Sequence, residues 1–110
     1  MSNQRLLCNS TNMQLSVTLY IQAGGNLNSM YGSVNVDLEP GEARDVEFGD
    51  LRNNMLSALR INPLPWDPRE TYYALVKRRN DFMDRWLNHH DHIDISVEAL
   101  DHLMSHTNAR

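Results

Sequence analysis

"PRETYYALVKRRNDFMDRWLN", residues 68–88, is the stretch whose reading decides the fold of this chain. Tyr72, Leu75, Val76, Arg79, Met83, Trp86 and Leu87 recur at i, i+3, i+4, i+7, i+11, i+14 and i+15. That spacing predicts one face of a helix running from Pro68 to Leu87. Its start carries the right chemistry. Asp67 can cap, Pro68 takes the first helical position and Glu70 stands where a capping box needs it. Lys77, Arg78, Asp81, Asp84 and Arg85 fall on the other, solvated side. A second reading competes. Tyr72, Tyr73 and Val76 favour extended backbone, so "YYALVKR" reads as a strand and only "NDFMDRWLN" as a short helix. The periodicity favours the long helix.

Upstream the chain reads as strands and turns. In "MQLSVTLYIQ", residues 13–22, Leu15, Val17, Leu19 and Ile21 alternate with Ser16, Thr18, Tyr20 and Gln22. A period of two with β-branched and aromatic residues predicts a strand with one buried face. Gly24 and Gly25 break it. Val34, Val36 and Leu38 repeat the alternation, and Val46 and Phe48 resume it after "EPGE". Pro40 and Gly41 fit the two central positions of a type II turn. The simplest expectation is an antiparallel pair of strands joined by that turn, lying beside the first strand. Residues 51–61 are open: Leu51, Met55, Leu56 and Leu59 have helical spacing, while "LSALRI" can form a strand.

Downstream, "HIDIS" predicts a short strand with Ile93 and Ile95 on one face. Ser96 then caps a last helix whose apolar stripe is Val97, Leu100, Leu103 and Met104. The whole, residues 1–110, is read as a single α+β domain: an antiparallel, sandwich-like sheet from the N-terminal half covered by C-terminal helices. The alternative is a mainly-β sandwich with short helices. A sheet with one apolar face needs such a cover.

Composition narrows the function. Apolar content of 41% with 22% charge is that of a folded globular chain rather than a disordered one. The net charge of −4 argues against non-specific nucleic-acid binding and against anionic membranes. The one basic run, Lys77–Arg79, is interleaved with Asp81 and Asp84 and reads as a solvated, salt-bridged surface. The start "MSNQRLLCNS" has no signal-peptide core, and no apolar stretch approaches a membrane span. The single Cys8 cannot form an internal disulfide. A cytoplasmic protein is expected, with no nucleic-acid or membrane partner.

Nucleophilic and phosphate-binding motifs find no setting. Ser33 in "YGSVNV" lacks the G-x-S-x-G elbow, and "AGGN" lacks both the lysine and the following helix of a phosphate loop. Two features remain. All five histidines, His89, His90, His92, His102 and His106, lie in the last 22 residues. Strand parity puts His90, His92 and Asp94 on one face, and His102 and His106 are spaced to share a helix face. If the helix folds back on the strand, His90, His92, His102 and His106 form a candidate site for zinc or another divalent transition metal. Against this stand a surface charged by pH near the histidine pKa, and an inert solvated surface, the plainest of the three.

The other feature is "NPLPWDP", residues 62–68, where Trp66 stands among Pro63, Pro65 and Pro68. A tryptophan held in a proline-rich loop suits an interface anchor; the rival role is a plug under the loop. The expectation is a small non-enzymatic binding or interaction module, with Trp66, Pro63 and Pro65 as the contact and a protein partner or self-association as its purpose. A metal-binding protein or metal-dependent enzyme using the histidines is the alternative.

Overall fold

A computed structural model describes residues 3–24 and 26–108. Its strands are β1 (Asn3–Asn9), β2 (Leu15–Ala23), β3 (Asn26–Leu38), β4 (Ala43–Phe48), β5 (Leu56–Pro63), β6 (Tyr72–Leu75) and β7 (His92–Ile95). Its α-helices are α1 (Phe82–Asn88) and α2 (Val97–Asn108).

The stretch 68–88 divides, as the strand reading had it. Asp67 does cap, accepting from Arg69 N–H, but the helix behind it lasts one 3-10 turn, Pro68–Glu70. The long helix is replaced by β6, whose Tyr72, Tyr73, Ala74 and Leu75 pair antiparallel with Ile61, Arg60, Leu59 and Ala58 of β5. The burial period there is two: Ala74 and Val76 are buried, while Tyr73 and Leu75 are exposed. A helix would have put Leu75 and Val76 side by side on the core; pairing with β5 sends them to opposite faces. Only after Asn80, at φ +63°, does a helix begin. Asp81 caps it, its side chain accepting from Asp84 N–H.

The strands form two layers. One sheet runs β3-β2-β5-β6, antiparallel throughout; the other runs β4-β1-β7, with β1 antiparallel to β4 and parallel to β7. Leu15, Val17, Leu19 and Ile21 of β2, with Leu59 and Ile61 of β5, face Leu7, Val46, Phe48, Ile93 and Ile95 of the other sheet in one buried cluster. Met83, Leu87, Leu100 and Leu103 bring both helices into that cluster. The result is a β-rich, sandwich-like α+β fold, with the sheets drawing on both halves of the chain rather than on the first alone.

The "EPGE" turn is as expected in itself. Gly41 has φ +76° and Glu42 N–H donates to Glu39 carbonyl at 3.0 Å. It does not close a hairpin, however. β3 pairs with β2 and β4 with β1, so the turn carries the chain from one sheet to the other. Asn9, only 1% exposed, explains the crossing. Its Nδ2 donates to the carbonyls of Met13 (2.7 Å), Glu39 (3.1 Å) and Leu38 (3.3 Å). Its own carbonyl accepts from Gly41 N–H at 2.9 Å. One amide thus holds the turns at the ends of β1 and β3 together, satisfying groups that burial would otherwise orphan.

Arg5 does a similar service inside. Its Nε donates to Leu87 carbonyl (2.9 Å) and its Nη2 to Asn88 carbonyl (3.3 Å), at the C-terminal end of α1. The guanidinium lies 5.5 Å from the centre of the Phe48 ring. Burial lowers its pKa, and the Asp91 charge opposes that shift. A cation at a helix C-terminus is favoured by the helix dipole as well as by the free carbonyls.

The final segment follows its sequence. Ile93 and Ile95 are fully buried, and Ser96 Oγ accepts from Ala99 N–H at 3.1 Å to start α2. Leu100 and Leu103 face the core, but Val97 is half exposed and so leaves the expected stripe. The Met104 side chain lies outside the described residues. Among the described residues, no helix is long and apolar enough to cross a membrane.

Candidate functional site

Trp66 follows directly from the end of β5. Pro63, buried, is the last residue of that strand and pairs with Leu15. Leu64 N–H still donates to Gln14 carbonyl at 2.9 Å, and the Leu64–Pro65 peptide is cis. Beyond it the chain leaves the sheet, and Pro65 and Trp66 project outward. Trp66 is 63% exposed. It is therefore not a plug of the core; the other tryptophan, Trp86, is the one packed partly against it.

A groove of about 450 Å³ lies at this loop, lined by Met13, Pro63, Leu64, Pro65 and Trp66 together with Asp67, Arg69 and Glu70. Arg69 Nη2 donates to Asp67 Oδ2 at 2.9 Å. The Arg69 side chain and then its backbone N–H hold the Asp67 carboxyl below the usual carboxylate range. The cap thus does double work. It starts the 3-10 turn and fixes a charged pair at one side of a proline-walled groove of mixed polarity. Pro63 and Pro65 have little freedom to lose, which lowers the ordering cost of any contact made here.

The histidines are distributed otherwise. His90 and His92 are both exposed, with ring centres 6.4 Å apart and planes tilted by 52°. His92 Nδ1 is 3.2 Å from Asp91 Oδ1. His102 lies elsewhere, its ring 5.2 Å from that of Phe82 in the small cleft between α1 and α2. The side chain of His106 lies outside the described residues. Among the described residues, no group of three or more histidine, cysteine, aspartate or glutamate side chains is placed to hold a metal ion.

Other side chains depart from their sequence reading. Asp84, expected on a solvated face, is fully buried. It accepts from Asn80 N–H (2.8 Å) and Asn88 Nδ2 (2.9 Å) and lies 3.9 Å from Arg79 Nη1. Burial and then the charge of Asp94 push the Cys8 thiol up, which disfavours the reactive thiolate. Thr18, on the outer face of β2, is covered: Asn35 Nδ2 donates to it at 2.7 Å and Arg60 Nη2 at 3.3 Å.

Met30, Tyr31 and Leu51 are large apolar side chains left exposed. In sequence they sit in turns and strands like any core residue, and only the fold shows that they face out. Comparisons with protein-family models, with curated proteins and with solved structures found no match to this chain.

Proposed function

We propose that this chain is a small, non-enzymatic binding module that engages a protein partner through Trp66, with Pro63 and Pro65 shaping the contact. The observation that carries this is the exposure of Trp66 at the groove of its own loop. An indole left in water forgoes one of the largest hydrophobic gains open to a side chain. Aromatic anchors of this kind, rimmed by polar groups, dominate binding energy where partners meet. The partner that fits presents an apolar pocket for the ring and an acceptor for the indole N–H. The neighbouring Asp67–Arg69 pair would sit at the polar rim, where charges set orientation more than affinity.

A photo-cross-linking residue in place of Trp66 tests this in cells that make the protein. A discrete adduct is expected from position 66 and not from exposed Glu98 on α2. Trp66→Ala is expected to abolish co-purification of the adducted protein while leaving thermal unfolding unchanged. Undiminished co-purification would refute the site.

A further inference from the structure

We infer that the chain forms a two-fold dimer by antiparallel pairing of β3 with β3 of a second copy. The inference starts from a comparison of the four sheet edges. Among the described residues, β3, β6, β4 and β7 are the terminal strands of the two sheets. β6 and β7 are four residues long each. β4 carries Arg44, Asp45 and Glu47, all exposed. Shortness and charge are the usual guards against edge-to-edge pairing. β3 has neither. Its regular ladder with β2 runs from Gly32 to Leu38, beyond a bulge at Tyr31, and over those seven residues it holds no proline or lysine and only Asp37 is charged.

The side chains of β3 fit a copy of themselves. A two-fold axis perpendicular to the sheet keeps the same faces of the two strands on the same side. Val34 and Val36 point inward but stay only half-buried, because the sandwich is open at this edge. A cavity of about 360 Å³ opens there between β3 and β4, lined by Ile21, Val34 and Phe48 among others. The second copy's Val34 and Val36 would arrive over that opening and complete the burial. Ser33, Asn35 and Asp37 are exposed on the outer face and would meet polar residues. Pairing centred on residues 33–35 sets each Asp37 opposite neutral residues, so no like charges oppose across the seam. The two four-stranded sheets would become one of eight strands. This interface is distinct from the Trp66 groove.

Light scattering on the untagged chain, from low micromolar to millimolar concentration, is the first test. Twice the 12.7 kDa chain mass is expected at the upper end. A monomer throughout overturns the dimer and leaves the edge for a strand of another protein. Val34→Pro and Asn35→Pro then locate the seam. Neighbouring residues of a strand aim their N–H groups to opposite sides, so one variant loses a bond to β2 and the other only an edge donor. The variant that keeps wild-type circular dichroism is expected to be monomeric. If that folded variant remains a dimer, the seam lies elsewhere and the inference fails. Trp66→Ala is expected to stay dimeric, which separates this result from the fate of the binding site.

Discussion

The side chain of Asn88 pairs with both backbone groups of Leu56. Its Nδ2 donates to the Leu56 carbonyl at 2.9 Å, and its Oδ1 accepts from Leu56 N–H at 2.7 Å. The amide stands in for a strand residue and ties the end of α1 to the start of β5. Asn88→Ala leaves two partly buried backbone groups without partners and takes a donor from buried Asp84. A loss of about 2–4 kcal/mol is expected, read from the urea midpoint at unchanged slope.

Gly49 and Gly41 separate strain from collision. Both have positive φ, +69° and +76°. A Cβ on Gly49 would lie 1.8 Å from the Asn53 carbonyl oxygen, whereas one on Gly41 would meet nothing within 4 Å. Gly41→Ala is expected to cost roughly 1 kcal/mol, the penalty of left-handed backbone alone. Gly49→Ala should cost on the order of 3 kcal/mol or more, because the turn at Asp50–Asn53 must move as well. Equal losses in thermal unfolding would show that the turn yields freely.

Asp81 makes stability depend on acid. Burial pushes its carboxyl up, but backbone N–H groups of Asp84, Arg78 and Lys77 outweigh that and leave it below the usual range. Backbone N–H groups of Asn53 and Arg52 lower Asp50 likewise. A carboxyl with a lowered folded pKa contributes stability above its unfolded value, near 4, and loses it as pH falls through the folded value. The unfolding midpoint is expected to hold from neutral pH to about pH 5 and then drop. Asp81→Asn should begin lower at neutral pH and fall less on acidification. A variant whose drop matches that of the wild type would clear Asp81 of this role.

His90 and His92 offer two imidazoles on their own, and tight zinc binding requires a third or fourth donor. Zinc titration of the untagged chain is expected to give an affinity weaker than micromolar, lowered further in His90→Ala/His92→Ala. Submicromolar affinity would mean that a further ligand joins them, and His106→Ala would show whether it is that residue.

Much of the fold was legible where a strand buries one apolar face, as at Leu15–Ile21 and Ile93–Ile95. β1 was not legible, because its inward positions include Arg5 and Asn9, polar residues whose burial depends on distant partners. Arg5 meets the carbonyl of Leu87 across 82 residues of sequence. No local window contains that bond. The helical stripe through Leu75 and Val76 misled for a related reason: β5 supplies a ladder for residues 72–75, and tertiary pairing overrode spacing. The caps at Asp67 and Ser96 were readable because capping is local. The cap at Asp67 nonetheless says where a helix begins and not how long it lasts. At the candidate site, the proline loop and its tryptophan stood out in sequence. The outward aim of Trp66 came only from the way β5 ends.

The parallel pairing of β1 with β7 has a consequence for the order in which the molecule assembles. Leu6, Leu7, Cys8 and Asn9 lie beside His92, Ile93, Asp94 and Ile95. During synthesis β1 leaves the ribosome more than eighty residues ahead of β7 and can pair with β4 first, but it waits for its parallel neighbour until residues 92–95 have followed. The β2–β3 ladder can close early. The second sheet, and with it the shelter for Leu7 and Arg5, cannot be completed before residue 95 emerges. Nascent chains halted short of β7 should therefore hold the β1–β4 pair with one edge of β1 uncovered, open to protease and to chaperones.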